Sequence, residues 1–456
     1  MKIIFSFLGC IAGAWLSPPL TAGALSAAVA ESPPPLRLII ETDAGGDPDD
    51  EQSLVRFLVY ANEFDVEGII ANRPAARDRE NVNPVRDGLG IVRALVSAYG
   101  QCYTNLVQHD PGYPKPEQLL ARTVAGYDDT DDGVQLIIRA VDSPDPRPVW
   151  FCNWGTDHGS AESCLKRALD RVLRERGHNG YAAFKRRLRL SSDDKFGDHT
   201  FNIQPPFPIW IDTLRPPLNN KRWYHRFSAL TAKAGGFDLQ RDVLTGHGPL
   251  GALYPANTGM PQKEGDTMMF LYLIPTGMNE PTEPTWGSWA GRYGPRDGCS
   301  DKPYYWANQT DDWRSTVDRD NTLSRWAADI QNDFRARMDW CVKPRGAANH
   351  RPVAVLNGQA GLANIRLDAK PGQVTGLDAR GTCDPDKNAL TYEWFVYREA
   401  GTCRSEISLR ATSGPTTSFT APTVKQSGTV HVLLKVSDDG KPPLCSYRRA
   451  LVTITP

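Results

Sequence analysis

The chain has 456 residues, long for one ordinary domain, and its 40% hydrophobic content is enough to build packed cores. Its 52 basic and 53 acidic residues leave a formal charge of −1. That balance excludes the strong positive field expected of a protein built to bind nucleic-acid polymers or acidic membranes.

Met1-Lys2 precedes an apolar run over residues 3–16, and small residues follow, ending Ala28-Val29-Ala30. The pattern predicts a secretory signal over 1–30 with an Ala-x-Ala cleavage site, the run being too short to span a bilayer. The mature protein is expected to be secreted or periplasmic, with no membrane segment. Nine cysteines become eight once Cys10 is removed, and an oxidising compartment then predicts structural disulfides. Without a CxxC pair or an HExxH motif, zinc has no support.

Leu36-Arg37-Leu38-Ile39-Ile40 reads as a buried strand, and Leu54, Phe57, Leu58 and Ala61 recur at helical spacing. Residues 64–72 read as a second strand, so the three form a βαβ unit with parallel strands. Between strand and helix lies Glu41-Thr42-Asp43-Ala44-Gly45-Gly46-Asp47-Pro48-Asp49-Asp50, with Asp43, Asp47, Asp49 and Asp50 close together. A parallel sheet puts its ligand crevice beyond the carboxyl ends of its strands, where this loop falls. Crowded carboxylates raise each other's pKa unless a cation neutralises them, and hard oxygen donors suit Ca²⁺ or Mg²⁺. An EF-hand is excluded: counting from Asp43, position six is Pro48 and position twelve is Leu54, where Gly and Glu are needed. The plainer alternative is a solvated acidic turn that caps the helix.

Further along, residues 89–98 and 134–141 carry helical patterns, the second preceded by Asp131 and Asp132 as cap residues. Residues 147–153 read as a strand, 160–173 as a helix, and 188–190 as a strand running into Ser191-Ser192-Asp193-Asp194. The glycines of 246–254 mark either a close approach to a ligand or a structural loop. Residues 311–313, Trp326 and 334–340 read as helices closing a first domain. Residues 343–352, with Pro and Gly punctuation, read as a linker. Short alternating strands at 365–367, 390–396, 430–436 and 451–454 then predict a β-sandwich over 353–456. No G-x-S-x-G, P-loop or G-x-G-x-x-G motif supports a serine nucleophile or a nucleotide cofactor.

Thr42 to Asn72, with Pro48-Asp49-Asp50-Glu51-Gln52-Ser53 and Phe64-Asp65-Val66-Glu67-Gly68-Ile69-Ile70-Ala71, resembles a secreted nucleoside hydrolase-like family. Gly246-His247-Gly248-Pro249 and Trp286-Gly287-Ser288-Trp289 extend the match. The family carries a C-terminal immunoglobulin-like domain, and some of its members are labelled cellulose-binding. The inosine-uridine preferring nucleoside hydrolases are more distantly similar. The resemblance implies an α/β nucleoside hydrolase-like domain with a mostly parallel central sheet over 35–342, then an all-β immunoglobulin-like sandwich. It implies calcium held by Asp43, Asp49, Asp50 and Asp266, and a metal-bound water attacking a glycosyl, chiefly N-glycosyl, bond with Asp43 as base. It also implies substrate contacts from Asn72, His158, His247 and Trp289. His158 is equally readable as an exposed loop residue, and Trp289 as core. The expected partner is a small glycoside or nucleoside, or a polysaccharide.

Three features depart from the family. The aspartate loop is two residues longer than in true nucleoside hydrolases. Gly265 stands where a leaving-group histidine often precedes the late aspartate, and the family's Asn-Thr pair is absent from Trp154-Gly155-Thr156-Asp157-His158-Gly159-Ser160-Ala161. The alternative function is therefore a cellulose- or polysaccharide-binding protein with little or no catalysis.

Overall fold

Leu38, Ile39 and Ile40 are fully buried, as expected of a central parallel strand covered on both faces. They belong to β1 (Leu36–Thr42), which pairs in parallel with β2 (Phe64–Ala71). The structure, a computed structural model, describes residues 34–77, 84–127, 129–155, 163–192, 226–256, 261–295, 305–306 and 309–456. The expected signal segment, His158 and Asp193-Asp194 lie outside the described residues.

With β3 (Thr123–Ala125), β4 (Val149–Asn153) and β5 (Leu188–Ser192), the first two strands form a five-stranded parallel sheet of order β3-β2-β1-β4-β5. The order reverses between β1 and β4. Such a switch point leaves a crevice beyond the strands' carboxyl ends.

Helices cover both faces because successive β1 side chains point oppositely. Ile39 packs into one core with residues of α4 (Asp132–Asp142) and α5 (Cys164–Arg186). Leu38 and Ile40 pack into the other with α1 (Asp49–Val59), α2 (Gly88–His109) and α3 (Pro116–Ala121). Every residue of α1 is buried, including Arg56. A buried guanidinium needs partners, and Arg56 bonds Glu264 from Nε at 2.5 Å and Gln331 from Nη2 at 2.9 Å. Its charge also lies 3.7 Å from the Phe334 ring centroid.

The C-terminal region is sheet-rich. Strands Ile365–Ala369, Cys445–Ile454, Gly428–Ser437 and Thr391–Val396 form one sheet in that order, and Val374–Asp378 pairs antiparallel with Thr416–Thr420. Trp394, Phe419 and Val432 share the core between them.

One expectation needs revision. Asp311–Trp313 is a strand, not a helix, paired with Thr316–Asp318. Arg314 and Ser315 between them both take positive φ, 51° and 62°, which makes a two-residue hairpin turn. The segment read as a linker is tied down: Trp340 Nε1 donates to Asn349 O at 3.0 Å, and Asn349 Nδ2 reaches Asp438 Oδ1 at 3.0 Å.

Among the described residues the seven cysteines are free thiols. Cys152 and Cys164 sit in different cores, whereas Cys102 and Cys341 share a hydrogen bond. No described helix is long and apolar enough to cross a membrane.

Candidate functional site

The aspartate loop leaves β1 through a tight turn. Gly46 N bonds Asp43 O at 2.9 Å, and Gly45 adopts φ +96°, a conformation that favours glycine. A Cβ on Gly46 would come within 3.0 Å of Asp43 O and 3.1 Å of Asp43 Oδ2, so the backbone runs close against that carboxylate and a larger residue would press on it. Pro48 then starts α1, whose first turn holds Asp49, Asp50 and Glu51 at the positive end of the helix dipole.

These acids are not a solvated cap: Asp49 and Asp50 are each 2% exposed. Asp266, just before the Thr267–Leu271 helix, completes the group. Asp49, Asp50 and Asp266 each offer an oxygen within 4.8 Å of the others. Asp43 stands beside this triad, in hydrogen-bond contact with Asp50 and with its Oδ2 3.9 Å from Arg73 Nη1.

Burial, followed by the charges of Asp266, Asp43 and Asp49, pushes the Asp50 carboxyl well above the ordinary range. Thr42 Oγ1 donates to Asp50 Oδ1 at 2.5 Å and fixes that side chain. Several buried carboxylates facing one another are stable only with a shared proton or a cation. The all-oxygen donor set fits a hard divalent ion.

The second layer braces the crevice. Asn72 follows β2 and donates from Nδ2 to Gly155 O at 3.0 Å. Gly155, after β4, brings its backbone against Asp43, since a Cβ there would lie 3.6 Å from Asp43 Oδ1. Glu41 is fully buried and accepts from Ser163 Oγ at 2.7 Å and Cys164 N at 2.8 Å, which anchors the start of α5. Burial raises the Glu41 pKa, with those hydrogen bonds opposing the shift. Lys263 Nζ pairs with Asp47 Oδ1 at 2.6 Å, so the inserted part of the loop is held from the Asp266 side.

Asp43, Asp49, Asp50 and Asp266 are thus brought together, with Asn72 one contact away. His247 is elsewhere: its Nε2 faces Asp339 Oδ1 at 3.3 Å beside a separate cavity. Trp289 is 1% exposed, with the Arg351 guanidinium 5.4 Å from its ring centroid. That burial leaves the ring no open face for a sugar. Arg73 escaped the sequence reading. Arg73's one signal is its place just past the end of β2, which opens on the same crevice.

Comparison with known proteins bears on the fold and the family. Residues 37–293 match the cellulose-binding Sde182 nucleoside hydrolase-like domain, and residues 374–454 match the C-terminal domain of cellulose-binding protein Sde0182. A solved structure from Saccharophagus degradans, described as a nucleoside hydrolase-related hypothetical protein associated with carbohydrate metabolism, is 31% identical with a TM-score of 0.71. The match covers 92% of this chain and 100% of that one. A PKD domain from the KIAA 1837 protein, 16% identical, aligns over 24% of this chain and 93% of its own length with a TM-score of 0.17, too low to carry an argument. A search of curated proteins returns no match. With a parallel α/β domain bearing a buried aspartate site and a sheet-rich C-terminal region, the chain belongs to the Sde182 family of nucleoside hydrolase-like, cellulose-binding proteins.

Proposed function

We propose that the protein is an exported hydrolase of glycosyl bonds, N-glycosyl above all, working at the aspartates between β1 and β4 with calcium as its cation. One observation carries the reading: Asp43, Asp49 and Asp50 meet Asp266, more than 200 residues away in sequence, at the carboxyl edge of a parallel sheet. Asp49, Asp50 and Asp266 would hold the ion, with Asp43 at its side. Bound there, the ion supplies charge neutralisation and Lewis acidity.

Asp43, at 8% exposed, is the most accessible of the four carboxylates and accepts the proton of the attacking water. The remaining carboxylates favour positive charge developing on the sugar as the glycosyl bond lengthens. Asn72 and Gly155 hold the wall against which Asp43 is set. Gly265 offers no imidazole to the departing group, which favours substrates whose leaving group needs no proton from that position.

Calorimetric titration of the mature chain with calcium, beside a nucleoside and glycoside hydrolysis screen, tests the proposal. Calcium binding should be lost in Asp266→Asn, and turnover abolished in a folded Asp43→Asn. A well-folded wild type that binds no calcium and cleaves nothing sinks it.

The family names favour a second reading, polysaccharide binding without turnover. In residues 353–456 Trp394, Tyr397, Phe419 and Tyr447 are buried and only Tyr392 and Phe395 are half-buried, so the sandwich presents no row of fully exposed aromatic rings on which cellulose would stack.

A further inference from the structure

A cavity of about 400 Å³ opens where the Gln240–Leu244 turn, the end of the Ala327–Trp340 helix and the loop carrying Lys441 meet. It lies at the junction of the two regions and shares no residue with the aspartate site. Arg241, Arg335, Lys343 and Lys441 line it, against the carboxylates of Asp242 and Asp339.

Both carboxylates are already engaged. Asp242 accepts from Arg241 Nε and Nη2 at 2.6 Å each, takes Asp238 N at 2.8 Å, and faces Arg335 Nε at 3.2 Å. Asp339 takes Lys343 Nζ at 2.8 Å as well as His247. The acids orient Arg241, Arg335 and Lys343 but leave an excess of positive charge, since four cationic side chains face two carboxylates. Donors are left over. Arg335 spends Nη1 on Gly235 O and Asn332 Oδ1, but among the described residues its Nη2 has no acceptor. Among the described residues Arg241 Nη1 has none either, and Lys441 has no acidic partner.

Guanidinium groups held in place by Asp242, beside the ammonium groups of Lys343 and Lys441 and with N–H bonds to spare, match the lone pairs of an oxyanion, and such charge-assisted bonds are the strong ones. The cavity is at the small end of ligand sites, which suits a body of about one sugar ring. We propose that this junction cavity binds an oxyanion on a monosaccharide-sized body, as in a sugar acid or a sugar phosphate. Neutral sugars lack the charge that the excess cations select.

The test is calorimetry on the full mature chain in metal-free, low-salt buffer, with sodium glucuronate, inorganic phosphate and glucose as probes. At least one anion should bind and glucose should not. Lys441→Ala and Arg335→Gln should each weaken the anion roughly tenfold, as expected for one charge-assisted bond. Added salt should weaken it further. Lys441 is exposed, so its variant isolates the charge from folding. Glucuronate binding alone assigns the source to sugar acids, and phosphate alone to phosphate esters; either upholds the site. Glucose binding as tightly as glucuronate, or an affinity unchanged in the Lys441→Ala/Arg335→Gln double variant, overturns it. Asp266→Asn should leave the anion affinity intact, so failure of the glycosyl-hydrolase reading is told apart from failure here.

Discussion

Arg449 donates from Nη1 to Nδ1 of His431 at 2.6 Å. A guanidinium has no lone pair to offer, so His431 must be neutral, with its proton on Nε2. Arg449 also donates from Nε to Met278 O at 2.6 Å and from Nη2 to Trp286 O at 2.9 Å, so this strand residue clamps the C-terminal region onto the first.

The clamp makes the fold sensitive to acid. Burial, then the charges of Arg449 and Arg366, pulls the His431 pKa from 6.5 down to about 3. The unfolded chain takes up this proton near pH 6.5 and the folded chain only near 3. Stabilisation is therefore full above pH 6.5 and is lost as the pH falls through that window, by at most about 1.4 kcal/mol per pH unit. Urea denaturation across the window should show this slope, and His431→Gln, which keeps an acceptor but does not titrate, should flatten it. An equal slope in the variant would assign the effect to other groups.

Calcium should stabilise the folded chain. At a hundredfold excess over its Kd, an ion that binds only the native state adds about 2.7 kcal/mol. Differential scanning calorimetry with calcium and then with chelator should show a matching fall in Tm, absent in Asp266→Asn. A Tm that ignores chelator in the wild type would count against an ion at the aspartates.

The Arg56–Glu264 pair should be costly to break from one side, because both side chains are completely buried. Glu264 also accepts from Tyr254 and Gln262, so its loss strands several donors. Glu264→Gln should cost about 3–5 kcal/mol. Arg56→Met with Glu264→Gln should cost less than the two single losses added together. A double-mutant cycle in urea measures the coupling, and additive losses would show that the pair acts as two independent residues.

Tyr397 of the C-terminal region donates from its hydroxyl to Asp311 Oδ2 at 2.6 Å, and Arg292 bonds Asp311 Oδ1 at 2.9 Å. Tyr397→Phe removes a buried donor to a carboxylate and should cost about 1–3 kcal/mol. Since this network joins the two regions, wild type should unfold in one transition by both fluorescence and circular dichroism. Two separated transitions would mean that the regions fold independently.

Much of the first domain was legible locally. The β1–α1–β2 unit announces itself because buried parallel strands are runs of bulky apolar residues and α1 keeps a helical repeat. Asp311–Trp313 was misread because the hairpin rests on two positive-φ residues, Arg314 and Ser315, which carry no glycine to mark the turn. The packed character of residues 343–352 was hidden as well, since Pro and Gly reveal a break in regular structure but not what the chain then bonds to.

By itself the sequence determined the elements, the acidic loop after β1 and the family, for these reside in neighbouring residues whose periodicity and turn chemistry are local. Tertiary structure alone decided which distant groups meet. It set Asp266 against Asp49 and Asp50, put Arg73 beside Asp43, enclosed Arg56 with Glu264, and sent His247 to a different cavity. Those relations depend on strand order and on which side chains the core excludes from water, and both are properties of the whole packed chain.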